Sequence, residues 1–268
     1  MRNFIEKNFE YVGENFSREV RNIYYDKRKN KNIYGKATQE PRHEVIKALK
    51  KSMKEAELSR SKLLGVKGKK VGEATNANLS VAKSATMPAI ERYTGVLYDA
   101  LNYSSLSSSL QKKIDNQVVI FSGLWGALKP QDLIPDYKLK MGAKLPQLGV
   151  LSRFWKPHLT SVLRLSNTEC VWDLLPGEHS AGWDPLIAGK RIRVKFLDDV
   201  MKNGKQQLVS VSHWNKLLKG ALVQFVIENQ LLDPSGFTGF SHPEGYVFAP
   251  ELSTESGNTI DIALVSKK

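Results

Sequence analysis

Residues 191–226 read RIRVKFLDDVMKNGKQQLVSVSHWNKLLKGALVQFV. Over the first seven, Ile192, Val194 and Phe196 fall on one face of an extended chain and Arg191, Arg193 and Lys195 on the other. That period of two is the mark of a half-buried strand. Asn203-Gly204 supplies a turn, since both residue types tolerate positive φ, and 207–214 returns as the partner strand. Asn215 then opens a helix whose apolar residues, Leu218, Ala221, Leu222, Phe225 and Val226, recur at three and four. A hairpin feeding an amphipathic helix places the chain in the α/β class.

Outward from this block, the apolar runs 117–121 and 169–174 read as short buried strands. The pattern of 151–165 is helical. Toward the N-terminus, helices are expected over 42–58, from beyond the glycine turn at 64–70 through Ala74, and over 88–101. Ile5, Phe9, Val12, Phe16, Val20 and Ile23 have helical spacing across 4–24, and Lys27-Arg28-Lys29-Asn30-Lys31 reads as an exposed linker.

Forty Lys and Arg against 27 Asp and Glu give a formal charge of +13. An excess of that size attracts polyanions, although solubility alone also accounts for it. Anionic lipid would want an amphipathic basic helix or an anchor, and only the N-terminal segment comes near that description. The single cysteine, Cys170, lies in the run Cys170-Val171-Trp172 and is expected to be buried and inert. It leaves no disulfide framework within the chain. No run approaches the ~20 apolar residues of a membrane span. Glu6, Lys7, Glu10 and Glu14 interrupt any signal-peptide core. The expectation is a cytoplasmic protein with no membrane partner.

The sequence has no Walker phosphate loop, GxGxxG, HExxH, CxxC or GxSxG, and its five histidines are not spaced as metal ligands. No metal, no cofactor and no catalytic residue is assigned. The positive signals concern anions. Asn215-Lys216-Leu217-Leu218-Lys219 sets two lysines at a helix N-terminus, where an anion would offset their repulsion from the helix dipole; both side chains pointing to water is the alternative. Gly65 and Gly68 punctuate a turn ringed by Lys62, Lys67, Lys69 and Lys70. Helix, glycine turn, helix is the outline of a helix-hairpin-helix element spanning roughly 45–80, or of an ordinary αα-hairpin with a solvated basic loop. The stripe Arg191, Arg193, Lys195 reads as a solvated sheet face. Tyr93, Asp99, Ser122, Trp125 and His213 form a candidate pocket in which Asp99, Ser122 and His213 could do acid–base or nucleophilic work; a structural role is the alternative for each.

Several segments together resemble the YaaA family of bacterial peroxide-stress proteins. They are Tyr93-Thr94-Gly95-Val96-Leu97-Tyr98-Asp99-Ala100-Leu101, Ser122-Gly123-Leu124-Trp125-Gly126-Ala127-Leu128-Lys129-Pro130 and Asp132-Leu133-Ile134-Pro135-Asp136-Tyr137-Lys138-Leu139-Lys140-Met141-Gly142. Phe154-Trp155, Val211-Ser212-His213-Trp214-Asn215-Lys216 with Lys219-Gly220, and Gly239-Phe240 through Tyr246 complete the set. The resemblance implies a compact mixed sheet flanked by helices, a positively charged cleft and a helix-hairpin-helix element. It further implies DNA binding that is structure- rather than sequence-selective, and a role in protecting DNA and limiting free iron under hydrogen peroxide. Lys216 and Lys219 match a basic pair of the family, and Lys138 stands where an arginine is common. Residues 1–35 lack the family's opening strand and Leu-Pro-Pro-Ser-like segment. They are read as an atypical extension before a single domain over 36–268. The rival reading is an enzyme acting on a nucleotide or nucleic acid through the pocket around Tyr93, Asp99, Ser122 and His213; a third is an RNA- or ribosome-associated protein.

Overall fold

The computed structural model describes residues 10–11, 33–34, 41–165, 169–210, 215–240, 242 and 244–267. The chain divides into a unit of residues 1–49 and a unit of residues 50–268. In the first, β1 (Glu10–Tyr11) pairs parallel with β2 (Ile33–Tyr34). This interrupts the helix expected over 4–24, where Gly13 and several asparagines disfavour helix. The rest of that span and the basic run 27–31 lie outside the described residues. Helix α1 (Pro41–Ser52) runs across the division, with Glu44 in its first turn and Lys50 and Lys51 in its last, the order that complements the helix dipole.

The second unit continues with α2 (Glu57–Leu64), α3 (Lys69–Ser80), β3 (Thr86–Pro88), α4 (Ala89–Arg92), α5 (Val96–Leu101), α6 (Ser108–Gln117), β4 (Ile120–Ser122), β5 (Gly126–Leu128), β6 (Leu133–Pro135), β7 (Lys144–Leu145), β8 (Gly149–Val150) and α7 (Leu151–Leu165). It closes with β9 (Cys170–Trp172), α8 (Gly177–Ser180), β10 (Lys190–Lys202), β11 (Lys205–Ser210), α9 (Asn215–Glu228), β12 (Val247–Phe248), β13 (Thr254–Ser256) and β14 (Thr259–Lys267). Among the described residues, no helix is long and apolar enough to cross a membrane.

The architecture is α/β, built on a mixed sheet of six strands in the order β11-β10-β14-β12, with β9 beside β10 and β13 beside β14. Strand β10 is the spine. It runs parallel to β14 from Arg191↔Thr259 to Asp199↔Lys267, and antiparallel to β11 from Leu197↔Ser210 to Lys202↔Lys205. The turn has Asn203 at φ 52° and Gly204 at φ 72°, the positive values that the residue types anticipated. On one face Ile192, Val194 and Phe196 meet Ile262 and Leu264 of β14 and Leu218, Leu222 and Val226 of α9, with Phe237, Phe240 and Tyr246 closing the core.

The opposite face of β10 is not a bare solvated stripe. Arg191 donates from Nε and Nη2 to Asp173 Oδ2 at 2.9 and 2.5 Å. Arg193 forks onto Asp261 at 2.5 and 2.7 Å, and Lys195 joins the same carboxylate at 2.8 Å. Burial by itself would raise the Asp261 pKa, but the Arg193 and Lys195 contacts outweigh it and hold the group below its usual 3.8.

A second core gathers Ala89, Ile90, Leu101, Tyr103, Ile114, Ile120, Leu128 and Ile134 with Ile227 of α9. Helix α9 thus lines both cores, Leu222 and Val226 facing one and Ile227 the other. It crosses α5 closely at Gly220, where a Cβ would come within 2.5 Å of Ala100 Cβ and 2.8 Å of Leu101 N.

Several boundaries differ from expectation. The helix over 42–58 breaks after Ser52 and resumes at Glu57, with no glycine or proline to announce the break. The helix over 88–101 is two, parted by Tyr93-Thr94-Gly95, where glycine lowers the cost of leaving the helix. The strand over 117–121 starts later, at Ile120, because Gln117 ends α6, an unanticipated helix capped by Ser107. Helix α7 has the expected bounds even though Pro157 lies inside it.

Candidate functional site

Helices α2 and α3 flank the glycine turn. Gly65 ends α2 in the left-handed region at φ 64°, ψ 35°, and its N–H donates to Ser61 O. Gly68 precedes α3 at φ 58°, ψ −140°, a conformation open essentially to glycine alone. Arg60 Nη1 donates to Thr75 Oγ1 at 3.0 Å and braces one helix against the other. Lys62, Lys67, Lys69 and Lys70 are all exposed around the turn. The first turn of α3 carries no acid and no side-chain cap. Its leading amides therefore lack the partner that a capping side chain would supply.

The segment of residues 137–140, which lies outside any strand and leads into a turn at 141–142, runs beside the glycine turn. Leu139 and Met141 are buried while Lys138 and Lys140 are exposed, the alternation of a strand without a strand neighbour. Asn78 of α3 holds it by two bonds, Nδ2 to Lys138 O and Lys138 N to Oδ1, both 2.9 Å. Lys140 lies against Gly65, where an added Cβ would sit 2.5 Å from its Nζ. Behind it, a Cβ on Gly123 would sit 2.8 Å from Leu139 O.

Tyr137 opens the segment and joins it to a chain of hydroxyls. Ser122 Oγ accepts the backbone N–H groups of Leu124 and Trp125 at 3.2 and 2.9 Å. With both lone pairs occupied, its proton must go to Tyr137 Oη at 2.6 Å. Tyr137 then donates to Tyr93 Oη at 2.5 Å, which ends the chain. Tyr98 stacks on Tyr93 at 5.5 Å, and Trp125 meets Tyr137 edge-on at 6.4 Å. Burial raises the pKa of Tyr93, and burial with the neighbouring Tyr93 pushes Tyr137 well above the ordinary 10.0. Both phenols remain protonated donors at neutral pH. Trp155 fixes the floor: its indole N–H donates to Gly123 O at 2.9 Å, and Gly126, at φ 76°, leaves room for its ring.

The structure therefore brings together Tyr93, Ser122 and Trp125 through Tyr137. Asp99 is exposed on α5 and takes no part in the chain. His213 lies outside the described residues, as does the Lys216 side chain. Lys219 is half-buried and donates to Leu174 O at 3.0 Å. Lys138 is held by Asn78 near the C-terminal end of α3. Sequence reasoning left three residues of this region unassigned. Tyr137 and Lys140 sit in a run whose period-two alternation was available to find them. Asn78 gave no local signal, because its role depends on a residue sixty positions away. Among the described residues, no group of three His, Cys, Asp or Glu could hold a metal ion.

A UPF0246 protein of Streptomyces coelicolor is 35% identical over 153 residues, 56% of this chain and 56% of that protein. A UPF0246 protein of Roseobacter denitrificans is 33% identical over 180 residues, covering 65% and 68%, and one of Flavobacterium psychrophilum is 33% identical over 178 residues, covering 65% and 68%. The match thus spans little more than half the length of the Streptomyces relative and about two thirds of the other two. The sequence profile described as Peroxide stress protein YaaA matches residues 21–252. That match takes in the glycine turn, the 137–141 segment and the hydroxyl chain alike, and the chain belongs to the YaaA family of peroxide stress proteins.

Proposed function

We propose that this chain binds DNA through its phosphate backbone, selecting structure rather than sequence, and that it serves in the hydrogen-peroxide response by protecting DNA from oxidative damage and lowering free iron. The observation that carries the reading is the exposed glycine turn between α2 and α3, ringed by four exposed lysines and opening a helix with no acid in its first turn. A helix N-terminus with no acid in its first turn and the surrounding cations favour a phosphate. Contacts of this kind position a duplex without reading bases.

The test is binding to duplex, bubble and junction DNA across a salt titration. Affinity is expected to fall steeply with salt for all three. Replacing Lys67, Lys69 and Lys70 with Ala should flatten the slope by about 0.9 per lost phosphate contact; replacing Lys216 and Lys219 tests that pair in the same way. Absence of salt-dependent binding in the unaltered protein would sink the reading. In cells challenged with peroxide, loss of the protein should raise DNA strand breaks and chelatable iron together, and unchanged iron would remove that part.

One observation favours a second reading, an enzyme acting on a nucleotide or nucleic acid: Tyr93, Ser122 and Trp125 gather around Tyr137. The hydroxyl chain supplies donors rather than a nucleophile, because the Ser122 proton faces a phenol and not a base. Turnover of a nucleotide or oligonucleotide that Tyr93→Phe abolishes without unfolding would establish this reading. No turnover across nucleotide and oligonucleotide substrates would end it.

A further inference from the structure

Asn78 is fully buried, and a buried amide needs its hydrogen bonds met. Its two short bonds are to one backbone, the N–H and the C=O of Lys138, each at 2.9 Å, and its Nδ2 also reaches Met53 Sδ at 3.5 Å. A neighbouring strand would normally supply that two-bond exchange; here a single side chain does. The segment is then held on every other side. The Tyr137 hydroxyl is locked into the Ser122–Tyr93 chain, Leu139 and Met141 are buried, the Leu139 carbonyl packs on Gly123 and the Lys140 ammonium rests on Gly65. What all this restraint leaves facing solvent is Lys138 and Lys140, and neither forms an ion pair among the described residues.

Lys138 and Lys140 are the exposed members of an alternation whose buried members are Leu139 and Met141, so they share a face; residues two apart on a fully extended chain would stand about 6.6 Å apart. That separation is comparable to the spacing of neighbouring phosphates along one nucleic-acid strand. A cation whose backbone is already fixed loses less conformational freedom on binding than one on a mobile loop. We infer that Asn78 is a positioning residue that holds Lys138 and Lys140 as a paired contact for two successive phosphates of a single strand. The inference deepens the nucleic-acid reading above and rests on it.

The test uses the full chain and a single-stranded oligonucleotide, followed by fluorescence anisotropy across a salt series. Lys138→Ala and Lys140→Ala should each flatten the log–log salt slope by about 0.7, the single-strand value per phosphate, and the double variant by about 1.4. Lys140→Arg should keep the unaltered slope. Asn78→Ala, with both lysines still present, should match the double variant; added to the double variant, it should change the slope no further. Both lysines are exposed, so their variants decide the matter even if Asn78→Ala fails to fold, which circular dichroism reports. Unchanged slopes in the lysine variants, or an Asn78→Ala effect that adds to theirs, would overturn this inference while leaving DNA binding intact. An unaltered protein that shows no salt-dependent binding would fail the nucleic-acid reading and this inference with it.

Discussion

Tyr137 sits in the middle of three hydroxyls whose proton order is fixed from one end by two backbone amides. Removing its oxygen strands the Ser122 proton and the Tyr93 acceptor together. Tyr137→Phe is therefore expected to destabilise the protein by roughly 1–3 kcal/mol, the cost of leaving buried polar groups unmet. Tyr93→Phe removes only the end of the chain and should cost about 1 kcal/mol or less; urea unfolding of the two variants side by side checks the order. Gly126 combines a φ of 76° with a Trp155 ring atom 2.8 Å from any added Cβ. Gly126→Ala should cost roughly 1–3 kcal/mol from backbone strain alone, read as a fall in Tm. The glycines of the 65–68 turn announced themselves in the sequence because chain direction demands them. Asn78 did not, because a buried amide looks like any other helical asparagine until its partner is known.

The elements readable from sequence are those whose signals are local. The β10–β11 hairpin carries its alternation and its Asn-Gly turn within twenty residues, and α7 keeps one apolar periodicity throughout. The parallel pairing of β10 with β14 was not readable, since nothing in either strand names the other. That pairing nonetheless decides the fate of the cationic stripe: Arg193 and Lys195 face Asp261 only because β14 lies in register beside β10. Arg191 finds Asp173 from the β9 side, with the aspartate side chain 1% exposed and its own 11%. Asp173→Ala would leave a buried guanidinium without its counter-charge and is expected to cost about 3–5 kcal/mol. Calorimetric unfolding of that variant checks it, and a shift within error would mean that Arg191 escapes to solvent. The helix break at 53–56 was unreadable for a different reason: its residues carry no helix-breaking signal, so tertiary packing overrides propensity there.

For the molecule as a whole, His242 and Asp261 set a response to acid. His242 is buried; its Nε2 faces Leu218 O at 3.1 Å and its Nδ1 accepts the Glu244 N–H at 3.0 Å. Burial lowers its pKa below the ordinary 6.5. The unfolded chain therefore takes up this proton first on acidification. The stability that His242 contributes is complete above pH 6.5 and is lost as pH falls from there through the folded pKa. Asp261, whose pKa is also lowered, keeps its contribution until pH falls below 3.8 and through its own folded value. Unfolding midpoints measured from pH 7.5 downward should show the His242 loss first, and His242→Asn should flatten that part of the profile while leaving the more acidic part.

Helix α9 gives its two sides to two different cores and lets Gly220 bring it against α5. A wall shared in this way ties the fates of its neighbours: neither core can open by itself without stripping one side of the same helix. Local fluctuations can fray the chain elsewhere, but the backbone amides of residues 222–227 become accessible only when both cores are lost together. In native-state hydrogen exchange these amides should be the slowest of the chain, with an exchange free energy equal to that of global unfolding. Faster exchange there than in β10 would mean that the two cores part company before the protein unfolds.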